Sequence, residues 1–136
     1  MMKGCVFCKI AKKKIPAEII YEDSGTLVFL DINPVSKGHT LFVPKEHFKD
    51  FLSAPDESIC KTLSVAKKIA PIILKAVGAT GFNLTANNGS YAGQSISHLH
   101  FHLIHRGKDF PKPKWPTIKY KESEIEKVAS KIKMSS

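Results

Sequence analysis

Three histidines alternate with apolar residues over 98–102, where the sequence reads His-Leu-His-Phe-His. Successive side chains of an extended strand point to opposite faces, so His98, His100 and His102 are predicted to share one face, while Leu99 and Phe101 fill a core on the other. Histidine titrates near neutral pH and can act as a nucleophile, a proton donor or a metal ligand. The pattern indicates a strand with one reactive face, and the alternative is a plain edge strand whose polar face meets solvent.

The residues just before this strand, 87–95, are rich in glycine and small polar side chains. Glycine lets a ligand approach the backbone closely, and consecutive backbone N–H groups in such turns can bind an anion. The same residue types also favour ordinary turns. Beside three histidines, the loop is better interpreted as the phosphate-binding wall of a catalytic pocket.

Size and composition fit one enzyme domain. A chain of 136 residues, 43% of them hydrophobic, can build a single core, which we place at about 5–109, followed by a basic extension over about 110–136. No run predicts a membrane span or a secretory signal, and three cysteines favour reduced thiols or metal ligation over disulfides. We therefore expect an intracellular protein, cytoplasmic with the nucleus left open.

The formal net charge of +9 reflects 20 lysines and a single arginine. Proteins that grip bases or phosphates through paired hydrogen bonds tend to use arginine, whereas dispersed lysines mainly supply solubility and a diffuse positive field. A solvated surface is therefore favoured over a nucleic-acid site. The positive field should still favour encounter with anionic nucleotides, an effect that salt would screen.

Hydrophobic patterning predicts an α+β fold, an antiparallel sheet of about five strands with one long helix packed on it and a C-terminal helix or tail. The long helix has a candidate cap at Ser53, an interruption at Pro71 that would kink or split it, and a stop at Gly78. Cys60, inside this helix, is expected to pack as a small apolar residue. A second amphipathic stretch covers 123–132. The predicted strands are 19–22, 26–32, 39–44, 82–86 and 97–104.

The segment 93–104, in which Gly-Gln-Ser-Ile-Ser precedes the alternating histidines and two apolar residues, resembles the histidine triad family of nucleotide hydrolases and transferases. Segments that resemble the N-terminal half of the family, in matching order, are 15–17 (Ile-Pro-Ala), 21–23 (Tyr-Glu-Asp), 29–34 (Phe-Leu-Asp-Ile-Asn-Pro) and 38–47 (Gly-His-Thr-Leu-Phe-Val-Pro-Lys-Glu-His). The resemblance covers most of the chain and is strongest to the small hydrolases of nucleoside phosphoramidates.

The resemblance implies a two-step displacement at the α-phosphorus of a purine nucleotide, with AMP as product. His100 matches the nucleophile, which would form a nucleotidyl-histidine that water then hydrolyses. His102 matches the residue that contacts the transferred phosphate, and His39 matches one that buttresses the pocket. Other positions that match phosphate-contacting or pocket-lining residues are Gln94, Ser95, Asn87 and Gly93.

The nucleoside-binding residues are also carried over from the resemblance. Asp31 matches the residue that accepts the ribose hydroxyls, and a turn-forming aspartate is the alternative. Phe7, Phe29 and Ile32 match apolar walls around the base, for which plain core residues are the alternative.

Cys5 and Cys8 form a Cys-x-x-Cys pair, and two thiolates at this spacing can bind one zinc ion tetrahedrally with two nitrogen ligands. Part of the family binds structural zinc through such cysteines and two histidines that match His47 and His98. The resemblance therefore implies a structural zinc site in which His98 orients the triad strand. Two reduced thiols near a flexible terminus are the alternative.

The chain departs from the family at residues 105–106, where many relatives have proline and this chain has His-Arg, and in the charged extension beyond Trp115. We expect a nucleoside 5′-phosphoramidate hydrolase whose leaving group is the least defined feature. The alternatives are a dinucleoside polyphosphate hydrolase, which would use the same histidine, and a nucleotide-binding or scaffold protein with vestigial activity. The resemblance also implies a homodimer, and we expect no membrane partner.

Overall fold

The computed structural model describes residues 4–135. Its elements, in chain order, are α1 Val6–Ala11, β1 Ile19–Glu22, β2 Thr26–Leu30, β3 Thr40–Pro44, α2 Asp56–Val77, β4 Gly81–Thr85, a 3-10 turn Ser90–Ala92, β5 Phe101–Arg106 and α3 Glu124–Met134. The five strands form one sheet in the order β1-β2-β3-β5-β4, and every neighbouring pair is antiparallel. The predicted α+β fold with a five-stranded antiparallel sheet is therefore confirmed.

Helices cover both faces of the sheet. On one face α2 packs against β2, β3 and β5, in a core that contains Val28, Phe42, Ala66, Ile69, Ile73, Phe101 and Leu103. On the other face α1 packs against β2 and β3, in a core that contains Phe7, Ile10, Leu27, Phe29 and Leu41. Because β2 and β3 contribute to both cores, both are buried along nearly their whole length, and their sequences are apolar rather than alternating.

The triad strand differs from its predicted bounds. Regular pairing with β3 ends at Phe101, and β5 continues two residues further than predicted, to Arg106. Two residues beyond Phe42, the last residue of β3 that pairs with β5, Pro44 has no N–H to donate, and its carbonyl oxygen accepts a hydrogen bond from Nε2 of His98 at 2.8 Å. The alternation nevertheless holds, because Leu99 packs in the core beneath α2 while His98 faces the other side of the sheet.

Helix α2 departs from the sequence-based expectation in three ways. Pro55, not Ser53, is its N-cap; in the preceding turn the Ser53 hydroxyl accepts the backbone N–H of Asp50, and the Ser53 N–H donates to Oδ1 of Asp50. The helix continues through Pro71 as one element, and it ends as predicted at Gly78, whose φ of 71° is left-handed. Cys60 is exposed rather than packed.

The C-terminal helix α3 has no buried residue, so Ile125, Val128 and Ile132 remain exposed. The sequence left open whether this stretch packs on the body or forms a tail, and α3 is an amphipathic helix that contributes to neither core. Within residues 4–135, no helix has both the length and the apolar character that a bilayer span requires.

Candidate active site

His100 lies on the sheet face that α1 covers, and its environment fixes which ring nitrogen carries the hydrogen. Its Nδ1 lies 2.7 Å from the carbonyl oxygen of His98. Because a carbonyl can only accept, Nδ1 is the donor, and Nε2 keeps its lone pair. Burial lowers the pKa of His100, which favours this neutral form. The imidazole lines a cavity of about 360 Å³, so a nucleophilic nitrogen borders a space where a substrate can bind.

A second pair of imidazoles, His39 and His102, meets beside His100. The backbone N–H of Val35 donates to Nδ1 of His39 at 3.0 Å, which places the ring hydrogen of His39 on Nε2. The Nε2–H of His39 in turn donates to Nδ1 of His102 at 2.9 Å, which places the ring hydrogen of His102 on its Nε2. Nε2 of His102 is buried without a hydrogen-bond partner among residues 4–135. The backbone therefore presents one oriented N–H donor beside the nucleophile.

Both imidazoles of this pair are neutral at pH 7. Burial lowers the pKa of His39, against the opposing charge of Asp31. Burial, followed by the like charges of His100 and His39, lowers the pKa of His102 to about 4. A neutral pair is required for the tautomers described above.

Asp31 follows β2 and lines the same cavity as His100. Its Oδ1 accepts the backbone N–H of Asn33 at 2.8 Å, and its Oδ2 lies 3.7 Å from Nε2 of His39. The turn-forming interaction and the place in the cavity therefore coexist. Each carboxylate oxygen can accept more than one hydrogen bond, so Asp31 retains capacity for hydroxyl donors.

The apolar walls of the cavity come from α1, β2 and the segment before β1. The Phe7 ring lies edge-on to Phe29 with centroids 5.5 Å apart, and 5.0 Å from the centroid of His100. Ile32 is 86% exposed at the rim. The segment 15–17 also lines the cavity, and sequence reasoning assigned it no role. The sequence feature that could have indicated this role is the apolar Ile-Pro-Ala run, which lies just before β1 and is not part of the strand.

Four of the predicted residues, Cys5, Cys8, His47 and His98, form a cluster whose ligand atoms all lie within 4.8 Å of one another. Nδ1 of His98 is 3.2 Å from Sγ of Cys5 and 3.1 Å from Nδ1 of His47. Sγ of Cys8 is 3.4 Å from Nδ1 of His47 and 3.6 Å from Nδ1 of His98. This structure therefore brings together a set of donors that could hold one metal ion.

The donor set fits a tetrahedral ion. Nε2 of His98 donates to the carbonyl oxygen of Pro44, so the lone pair of its Nδ1 faces the two thiols. Typical zinc bond lengths place neighbouring ligand atoms of a tetrahedron roughly 3.3 Å apart for two nitrogens and roughly 3.6 Å for nitrogen and sulfur. The separations in the cluster are close to these values, and two sulfurs with two imidazoles are a common zinc donor set.

Asp31, His39 and His102 form a second group with ligand atoms within 4.8 Å of one another. The hydrogen on Nε2 of His39 points into this group, because the Val35 N–H occupies Nδ1. An ion there would require the loss of that backbone hydrogen bond. The arrangement is suited to hydrogen bonding rather than to metal ligation.

Comparison with known proteins agrees with this geometry. The sequence matches the HIT domain over residues 12–109. It is 49% identical to an uncharacterised HIT-like protein of Methanocaldococcus jannaschii over 75% of this chain and 78% of that protein. It is 40% identical to an adenosine 5′-monophosphoramidase of Schizosaccharomyces pombe over 96% of this chain and 99% of that enzyme. A crystal structure of a HIT family protein from Bacillus anthracis superposes with a TM-score of 0.86 at 38% identity, covering 100% of this chain and 99% of that one.

The chain belongs to the HIT domain family. The loop of this HIT domain over 87–95 holds itself together through Gln94, whose Oε1 accepts the Gly89 N–H at 2.9 Å and whose Nε2 donates to the carbonyl of Lys49 at 2.8 Å. Gly93 takes a φ of 91°, a left-handed conformation that glycine adopts without strain. Of the predicted phosphate-contacting residues, the structure places Ser95 in the His100 cavity, whereas the amide of Gln94 braces the loop. A phosphate-binding role for Gln94 stays a prediction.

The HIT domain has a second cavity of about 580 Å³ that His102 also lines. His39 and His102 border it, and its remaining lining includes Asn83, Asn87, Ile104, Arg106 and Trp115. Asn87 therefore faces this second space rather than the first. Because His102 borders both cavities, a ligand atom beside it has room on two sides.

Proposed function

We propose that this HIT-domain protein hydrolyses purine nucleoside 5′-phosphoramidates and releases a nucleoside monophosphate, AMP in the case of adenosine. The observation that carries the proposal is the fixed tautomer of His100, which leaves a neutral Nε2 lone pair at the wall of a cavity. The 40% identity to an adenosine 5′-monophosphoramidase over nearly the whole chain supports the substrate class.

The reaction proceeds in two displacements. Nε2 of His100 attacks the α-phosphorus, a nitrogen–phosphorus bond to His100 forms, and the bond to the leaving nitrogen breaks. The leaving nitrogen takes up a proton and departs as an amine. Water then attacks the phosphorus, the bond to His100 breaks, and the proton that this water loses balances the one consumed in the first step.

His102 stabilises the transferred phosphate. Its Nε2–H is a buried donor without a hydrogen-bond partner among residues 4–135, and a donor already in place costs little reorganisation when charge develops on a phosphate oxygen. His39 acts as a positioning residue, because it holds His102 in the tautomer with hydrogen on Nε2. Ser95, in the same cavity, contributes a hydroxyl toward the phosphate or the leaving nitrogen.

The first cavity binds the nucleoside. Phe7, Phe29 and Ile32 provide apolar surface for the base, and Asp31 accepts the ribose hydroxyls through the lone pairs that its turn leaves available. The arrangement places an acceptor carboxylate and an apolar slot on the same side of His100.

We infer that the cluster of Cys5, Cys8, His47 and His98 holds a structural zinc ion. Bound zinc would cross-link the start of α1 to the triad segment and to the residues after β3. His98 would then be fixed from both ring nitrogens, and its carbonyl would stay in place to accept Nδ1–H of His100. The metal has no part in the displacements themselves.

Homodimerisation and an intracellular setting also belong to the proposal. Strand β4 lies at an edge of the sheet, and its Phe82 and Leu84 side chains are 42% and 39% exposed, which supports a contact with a second copy. Thiol ligands such as Cys5 and Cys8 persist in a reducing compartment.

Rapid quenching of the protein with adenosine 5′-phosphoramidate, followed by intact mass measurement, tests the proposal. We expect a transient species heavier than the protein by one adenylyl group, which is lost when His100 is replaced. Steady turnover without such a species at any quench time would contradict the covalent route.

Turnover of a diadenosine polyphosphate, measured beside adenosine 5′-phosphoramidate, separates the two hydrolase candidates, and a higher kcat/KM for the polyphosphate would favour the runner-up. Nucleotide binding without turnover of either substrate would favour the vestigial, binding-only alternative.

A further inference from the structure

We propose that the second cavity is a leaving-group subsite in which Arg106 selects amines that carry a distant carboxylate on an apolar stem. The inference rests on the proposed function and specifies its substrate class. Arg106 is the only arginine among 136 residues that include 20 lysines. The starting observation is that Arg106 and His102 line the same cavity.

The β4–β5 ladder lays out the subsite from the phosphate outward. His102, Ile104 and Arg106 share one face of β5, because side chains alternate along a strand. Thr85 pairs with His102 and Asn83 with Ile104. A leaving group that starts beside His102 therefore passes the apolar side chain of Ile104 before it reaches the guanidinium of Arg106. Pro113 and Trp115 add apolar surface along the same cavity.

The guanidinium is held in place before any ligand arrives. Its Nε donates to Oδ1 of Asn83 at 2.8 Å, and its Nη1 donates to the carbonyl oxygen of Pro111 at 3.1 Å. Its central carbon lies 4.9 Å from the ring centroid of Phe110. A planar cation that is fixed on three sides loses little side-chain freedom when it binds an anion.

The charge of this cation is not compensated within the described part of the chain. None of the ion pairs of residues 4–135 includes Arg106, and its Nη2 has no hydrogen-bond partner there. The two partners it does have, an amide oxygen and a carbonyl oxygen, are neutral. A half-buried guanidinium with unused donors that faces a cavity is suited to a carboxylate.

The ladder also gives the length of the leaving group. A strand rises about 3.4 Å per residue, which separates the Cα atoms of His102 and Arg106 by about 14 Å. The hydrogen bond to Asn83 draws the guanidinium back toward His102 by roughly the rise of one residue. The anion should therefore lie on the order of 10 Å from the phosphorus. An unbranched aminohexanoate spans this distance. A chain of phosphates would place further charge against Ile104 and Trp115, which favours the apolar stem.

The test uses two adenosine 5′-phosphoramidates that differ only at the far end, one with ω-aminohexanoate and one with the isosteric ω-aminohexanamide. For the wild type, kcat/KM should favour the carboxylate roughly tenfold, the low end for a charge-assisted hydrogen bond. R106Q should bring the ratio close to one, and R106K should keep part of the preference. Lys75→Gln, which removes an exposed positive charge on α2, should keep the wild-type ratio.

Because the ratio is taken within each variant, loss of folded protein cancels, and a purely structural role of Arg106 would leave the ratio unchanged. Equal kcat/KM values for the two substrates in the wild type, or an unchanged preference in R106Q, would overturn the inference while the proposed function stands. An Arg106-dependent preference for diadenosine tetraphosphate over the carboxylate would overturn the apolar stem. Failure to hydrolyse any phosphoramidate would instead refute the proposed function.

Discussion

Two pairs of imidazoles flank His100. In each pair one ring has an inner nitrogen that faces the other imidazole and an outer nitrogen that meets a backbone group, and the pairs differ in whether that backbone group is an N–H or a carbonyl. In the pair of His39 and His102, the outer nitrogen of His39 accepts a backbone N–H, so the inner nitrogen must donate. In the pair of His47 and His98, the outer nitrogen of His98 donates to a backbone carbonyl, so the inner nitrogen keeps its lone pair. The facing nitrogens are 2.9 Å apart in the first pair and 3.1 Å apart in the second.

The two pairs therefore have nearly equal distances between their facing nitrogens but opposite chemical roles. One backbone group, an N–H in the first pair and a C=O in the second, decides whether the pair forms a hydrogen bond or offers a site for a metal. His100 combines both features, since a backbone carbonyl holds its Nδ1–H and leaves Nε2 as a nucleophile. The predictions below test this assignment, from the largest expected effect to the smallest.

Replacement of His100 by alanine removes the nucleophile that lies between the two pairs. We expect turnover of adenosine 5′-phosphoramidate to fall by roughly three orders of magnitude or more, because the remaining groups cannot form the covalent intermediate. Steady-state kinetics measure the loss, and far-ultraviolet circular dichroism verifies the fold. A near-normal rate in the folded variant would contradict the mechanism.

Replacement of Cys5 by serine tests the metal pair. The wild type, purified without chelators, should contain about one zinc per chain, and the variant should contain none and lose about 2 kcal/mol or more in the free energy of unfolding. Metal analysis and denaturant unfolding provide the measurements. Cys60→Ser is the matched control, since Cys60 is exposed on α2 and should affect neither quantity. A wild type without metal would return the two thiols to an ordinary structural role.

Replacement of His39 by leucine tests the hydrogen-bonding pair. Without the donor at His39, the tautomer of His102 is no longer fixed, and we expect kcat to fall by roughly tenfold to a hundredfold with a smaller change in KM. His39→Gln, which can still present an N–H, should recover part of the loss. Equal rates for the two variants would show that His39 acts only through packing.

The pH dependence of stability provides the smallest effect. The folded pKa of His102 is about 4, whereas an unfolded histidine titrates near 6.5, so between these values the unfolded chain binds a proton that the native state does not. The free energy of unfolding should therefore fall as the pH drops through this window and be insensitive to this group above about pH 7. His102→Gln should reduce the fall between pH 7 and pH 5 by on the order of 1 kcal/mol, measured by urea unfolding. Parallel curves for the two proteins would contradict the neutral state of the pair.

Residue types and their spacing were sufficient to predict the sheet, the long helix and the two cysteines of the metal cluster, whereas its two histidines followed from the family resemblance. The alternation of His98 with Leu99 predicts two faces whatever the pairing of the strand, and Gly78 ends α2 because it tolerates a left-handed backbone. The cap at Ser53 was wrong, because the hydroxyl pairs with Asp50 one turn before the helix begins. Side-chain competition of this kind depends on the path of the loop, which the local sequence does not specify.

The tautomers of His39, His98 and His102 could not be predicted from the sequence. They depend on the N–H of Val35 and the carbonyl of Pro44, groups that almost any residue would supply. The same holds for Gln94, whose amide has the right chemistry for a phosphate but is engaged by backbone groups in this structure. The residue type indicates which polar atoms are available, and only the tertiary structure shows which of them already have hydrogen-bond partners.

Phe7 contacts both halves of the site, with its ring centroid 5.8 Å from His98 and 5.0 Å from His100. One aromatic side chain thus borders a ligand of the metal cluster and the attacking imidazole at once. A substitution that removes the ring at position 7 is therefore expected to perturb the metal cluster and the nucleophile together.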